Sequence, residues 1–157
     1  MAHRYLKEAG FDRDLWADTL PEDDDRRPEW AKQKEEYSMD ERETWNLGDD
    51  SILWLYEHIR MYLDFSDIDY IDLESSKLNV DGEKVDMKEL LKRILHQIEL
   101  YFNLDGCFYK ENFGKTEKEL VKEDRGIDKL VMYERSKGAM CKEIWRLWGV
   151  ICPSMWW

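Results

Sequence analysis

Cysteine, proline and glycine are scarce in this 157-residue chain, and no stretch of it is uniformly apolar. The three cysteines, Cys107, Cys141 and Cys152, are odd in number and lack CxxC spacing, which excludes a disulfide framework and a zinc ribbon and fits a reducing compartment. With no run near the ~18 apolar residues of a membrane span and no apolar core in MAHRYLKEAGF, the sequence predicts a protein neither membrane-bound nor exported by a classical signal. A bacterial cytoplasm is the expected location. The eight glycines are scattered, so neither G-x-x-x-x-G-K-[ST] nor G-x-G-x-x-G occurs, and there is no G-x-S-x-G elbow. Phosphate-loop and serine-hydrolase chemistry are thereby set aside, and no cofactor is expected.

Positive charge is also short. Residues 1–50 hold 16 acidic side chains against 8 basic, residues 51–110 hold 12 against 7, and residues 111–157 hold 8 against 9, within a net charge of -12. Such a surface repels phosphate, so direct binding to nucleic acid or to a membrane surface is not expected. Tryptophan and tyrosine, by contrast, are abundant, with eight of each. At this length one compact domain can bury a core without staples.

The most informative stretch is ETWNLGDDSILWLYEHIRMYLD, Glu43 to Asp64. Asp49 or Asp50 can cap a helix starting near Ser51, and Ile52, Leu55, Tyr56, Ile59 and Leu63 recur at helical spacing. Leu53, Trp54 and Tyr62 widen the stripe, which predicts a central helix over 51–63 covered by several neighbours. Trp45 and Leu47, the helix carrying Tyr56 and Arg60-Met61-Tyr62, a second amphipathic helix and a tryptophan-rich C-terminal helix resemble a family of small, uncharacterised phage and prophage proteins of gut bacteria. The resemblance covers about residues 45–157, with a departure at Gly48. It implies an intracellular phage product and transfers no catalytic residue.

Upstream, Arg4 to Ala9 reads as a short helix stopped by Gly10, Leu20 to Arg27 as a solvated loop, and Glu29 to Tyr37 as a surface helix held by Trp30 and Tyr37. Downstream, Lys77 to Val85 around Asp81-Gly82 reads as a β-hairpin. Asp86 and Glu89 cap a helix bearing Leu90, Leu91, Ile94, Leu95, Ile98, Tyr101 and Phe102. Asn103 to Lys115 reads as a long connection, Thr116 and Glu119 as a capping box, and Leu130 to Ile151 as a final helix. Trp145 and Trp148 are assigned to its buried stripe, and Cys141 and Cys152 to apolar packing. The expected fold is therefore mainly α with a small hairpin (α+β), organised as an acidic segment over 1–44 and a helical core over 45–157.

His96 and Glu99 share a helix face, but a metal needs ligands from elsewhere, and no metal site or catalytic residue is assigned. The expected function is non-enzymatic: a phage-encoded factor that binds a host protein with a basic surface, of the kind that inhibits nucleic-acid-handling defence systems as anti-CRISPR proteins do. Glu22, Asp23, Asp24, Asp25, Glu29, Glu35 and Glu36 would occupy a groove built for phosphates. Trp156 and Trp157 are either folded over the core or buried against a partner. The alternative is an assembly protein that self-associates through this aromatic end.

Overall fold

The computed structural model describes residues 4–11, 23–44, 47–66 and 77–155. It is mainly helical, with one antiparallel hairpin, as the sequence predicts. Contacts divide the chain into two compact units, Met1–Glu57 and His58–Trp157, and the division falls inside one continuous helix.

The first unit contains α1 (Arg4–Glu8), α2 (Arg27–Tyr37), a short 3-10 turn at Glu41–Thr44 and the first half of α3 (Leu47–Phe65). Gly10 ends the α1 region at φ 82°, a left-handed conformation that costs glycine little. The Glu57 carboxylate accepts the Tyr5 and Leu6 N–H groups at 3.3 and 2.9 Å, satisfying donors that a helix start leaves open. Phe11 then meets the Tyr56 ring edge-on at 5.2 Å, and both side chains are buried.

Helix α3 starts at Leu47 rather than near Ser51, so Asp49 and Asp50 lie within its first turn, where negative charge suits the helix dipole. Its buried face holds Ile52, Leu53, Leu55, Tyr56 and Ile59. Trp54 does not widen that face. It is 56% exposed, because it lies on the opposite side of the helix from Tyr56.

In the second unit, β1 (Leu78–Val80) pairs with β2 (Glu83–Val85), and Leu78 faces Val85 in register. Asp81 and Gly82 both take positive φ, 54° and 87°, which is what a two-residue turn matched to strand twist requires. The Asp81 carboxylate also receives both Arg146 Nη groups, at 3.1 and 3.0 Å, which ties the turn to the last helix. Helix α4 (Met87–Tyr101) is capped as expected, with the Asp86 Oδ1 accepting the Glu89 N–H at 2.7 Å. Leu90, Leu91, Ile94 and Ile98 are fully buried, and α4 packs along α7 (Gly126–Ile151).

The connection after α4 is more ordered than its sequence suggests. It contains α5 (Cys107–Phe113), entered through left-handed Asn103, Asp105 and Gly106. The Asn103 side chain accepts the Phe108 N–H at 3.1 Å and so supplies the missing cap. Phe108, Tyr109 and Tyr133 cluster with ring centroids 5.0–5.8 Å apart. The Tyr133 hydroxyl donates to the Tyr101 carbonyl at 2.6 Å, and burial pushes its phenol pKa up. Replacing Tyr133 with phenylalanine leaves that carbonyl without its donor, and thermal denaturation should show a loss of about 1 kcal/mol.

Helix α6 (Glu117–Val121) opens with a complete capping box: Thr116 and Glu119 each bond the other's backbone N–H. Arg125, at φ 62°, then turns the chain into α7. Tyr133, Met140, Ile144, Leu147 and Ile151 form the buried side of α7. Trp145 is 39% exposed rather than in the core, since one residue past Ile144 is a rotation of ~100° away from the buried side. Trp148 is half-buried, and Cys152 is exposed rather than packed. Among the described residues no helix is long and apolar enough to cross a membrane.

Candidate protein-binding surface

Helix α2 carries Glu29, Glu35 and Glu36, three of the seven carboxylates singled out from sequence, and its conformation follows from its ends. Pro28 sits in the first turn, where its missing N–H costs nothing, and Ser38 closes the helix in a left-handed conformation, its N–H donating to the Lys34 carbonyl. Its single buried residue is Trp30, at 2% exposure. The indole N–H donates to Glu41 at 2.8 Å, while the Arg42 and Arg26 guanidinium carbons lie 4.3 and 5.0 Å from the ring centroid.

Asp40 locks this arrangement. Its buried carboxylate takes two bonds from Arg42, at 2.8 and 2.7 Å, a third from the Arg42 backbone N–H at 3.1 Å, and an ion pair with Lys34 at 3.3 Å. The Arg42 side chain, helped by its backbone N–H and by Lys34, holds the Asp40 carboxyl down at about 2.

With Trp30 facing inward, Glu29, Glu35 and Glu36 are exposed on α2, and Asp23 and Asp25 are exposed just before it. Asp24 is engaged internally. Its carboxylate accepts the Arg26 backbone N–H and side-chain Nε, each at 3.0 Å, and Arg26 Nη2 at 2.8 Å, and Arg26 thereby lowers its pKa to about 2. Arg27, Lys32 and Lys34 are interleaved along the helix, so the carboxylates form separate acidic points rather than one continuous field. Glu22, Trp156 and Trp157 lie outside the described residues.

Two apolar side chains at the end of α2 were not assigned to the surface by sequence. Tyr37, expected to anchor the helix, is 62% exposed, and Met39 is 50% exposed. Both stand beside Glu35 and Glu36 in the chain, so exposed apolar side chains adjoin exposed carboxylates at this end of the helix. Position in the helix is the cue: Tyr37 is seven residues beyond Trp30 and is the last residue of the helix, next to its left-handed Ser38 cap.

Elsewhere, His96 lies between two carboxylates, with Nε2 3.0 Å from Glu111 and Nδ1 3.9 Å from Glu99. The two oxygens address opposite ring nitrogens, so they do not converge on one ion, and the described residues contain no group of three side chains placed to hold a metal. The nearby Cys107 thiol donates to the Glu99 carbonyl at 3.2 Å. Burial, then Glu111 and Glu99, push its pKa up, the reverse of what activates a thiol. Compared with known protein families, curated proteins and solved structures, the chain matches none.

Proposed function

We propose that this chain is a non-enzymatic protein-binding factor whose acidic first unit engages a basic surface on a partner protein, competing there with nucleic acid. The family resemblance of the sequence gives the direction: a phage product acting on a host defence protein that handles nucleic acid. The observation that carries the reading is the concentration of charge. Residues 1–57 hold 17 acidic against 8 basic side chains, a net of -9, while residues 58–157 hold 19 against 16. Carboxylates are exposed at both ends of α2, with Asp23, Asp25 and Glu29 at its start and Glu35 and Glu36 beside exposed Tyr37 and Met39, which would supply apolar contact area.

The test is capture from bacterial lysate on the immobilised full chain at low and high salt, followed by titration of the captured protein. Neutralising Asp23, Asp25 and Glu29 together (D23N/D25N/E29Q) should weaken binding about tenfold and flatten its salt dependence. Asp24→Asn should instead act on local structure through Arg26. Unchanged affinity and an unchanged salt slope in the triple variant would remove the acidic surface from the function.

A further inference from the structure

At its C-terminal end α2 departs from the preferences of a helix terminus in several ways at once. Glu35 and Glu36 stand in the last turn, where the helix dipole disfavours negative charge. The nearest basic residues on either side do not offset them, because Lys34 and Arg42 both pair with Asp40, at 3.3 and 2.7 Å. Among the described residues neither Glu35 nor Glu36 forms an ion pair or hydrogen bond through its side chain. Ser38 ends the helix at φ 63°, a conformation that glycine usually supplies, and Tyr37 and Met39 on either side of it are 62 and 50% exposed. Departures of this kind are expected where a surface binds something.

The same segment is tied down on both sides. The Ser38 N–H donates to the Lys34 carbonyl at 3.0 Å and the Glu41 N–H to the Gln33 side chain at 2.9 Å. The Trp30 indole donates to the Glu41 carboxylate, and Asp40 joins Lys34 to Arg42. None of these contacts uses the side chain of Tyr37 or Met39. Side chains presented on a backbone fixed before binding give up less conformational freedom when they are covered. Two exposed apolar groups beside two unneutralised carboxylates match one kind of surface, an apolar pocket bordered by lysine or arginine.

We propose, on the reading of the acidic first unit as the binding surface, that residues 35–39 are the centre of the contact and that the partner protein presents such a pocket to them. Tyr37 and Met39 then set how long the complex lasts. Asp23, Asp25 and Glu29, at the other end of α2, set how fast it forms.

The probe is a synthetic amphipathic helical peptide with leucine on one face and lysine on the other, mixed with the full chain and followed by stopped-flow fluorescence. One control peptide replaces leucine with glutamine, and another replaces lysine with glutamate. Only the leucine–lysine peptide should bind well. Y37S/M39S leaves the net charge unchanged, so it should raise the dissociation rate about tenfold while the association rate and salt slope stay as in wild type. Met39→Ser alone should act in the same direction. E35Q/E36Q should weaken binding and flatten its salt dependence, whereas D23N/D25N/E29Q should lower the association rate alone. Wild-type dissociation in Y37S/M39S, or a glutamine–lysine peptide bound as tightly as the leucine–lysine one, overturns the assignment of the centre. So does a leucine–lysine peptide that fails to bind, or self-association in sedimentation that Y37S/M39S abolishes, which would give the turn to a second copy of this chain. Full salt dependence with both carboxylate variants would instead remove the acidic surface itself, whatever Y37S/M39S does.

Discussion

Replacing Gly126 with alanine is expected to destabilise residues 58–157 by about 3 kcal/mol or more, seen as a large drop in the thermal and urea midpoints. A β-carbon built there falls 1.6 Å from the Leu120 carbonyl oxygen and 2.6 Å from its carbon. Both are backbone atoms, so no side-chain rotation relieves the overlap. Either α6 separates from the start of α7, or fully buried Leu120 leaves its place beside Phe108 and Tyr133. Gly138→Ala provides the control on the same helix. Nothing meets its added methyl group, and alanine has the higher helix propensity, so that variant should be more stable by about 1 kcal/mol. Equal midpoints for wild type and Gly126→Ala would show that α6 does not pack against α7 as described.

Asp40→Asn should destabilise the first unit by about 2 kcal/mol at neutral pH and change its response to acid. The folded carboxyl titrates at about 2 against an ordinary value of 3.8, so the ionised form is favoured by the fold. A depressed folded-state pKa contributes stability that is complete above the unfolded value and is lost as pH falls through the folded one. The window is therefore pH 4 to 2. Wild type should lose stability across that range, while the asparagine variant, starting lower, should lose less. Urea denaturation at pH 7 and pH 3, followed by tryptophan fluorescence, measures both differences. An asparagine variant with the wild-type midpoint at pH 7 would mean that the Arg42 and Lys34 contacts contribute nothing net.

Local features were legible in the sequence because neighbouring residues decide them. Asp86 with Glu89, Thr116 with Glu119 and the Asp81-Gly82 turn each satisfy or shape backbone within a few residues, and each is present where expected. The side a wide apolar helix buries was not legible. Trp54 and Trp145 fit a broad stripe by spacing, yet which side faces the core depends on neighbours distant in sequence. Helix α5 was hidden for a related reason: its cap comes from Asn103, itself held in a left-handed conformation, rather than from the Ser/Thr/Asp-x-x-Glu pattern. For the acidic surface, residue type and approximate exposure were readable at Asp23, Asp25, Glu29, Glu35 and Glu36. The engagement of Asp24 by Arg26 and the exposure of Tyr37 depend on side-chain conformation and helix length, which composition does not contain.

The entry to α7 shows how far this chain is from the most durable version of itself. Arg125 holds a left-handed backbone at φ 62°, and its side chain, 86% exposed, gains only a surface pair with Asp128. Glycine would adopt the same conformation without a penalty of about 1 kcal/mol. Selection for durability alone would have room to act at this position without disturbing one buried contact. Arginine at this turn leaves a reserve of stability from which tolerance to other substitutions can be drawn.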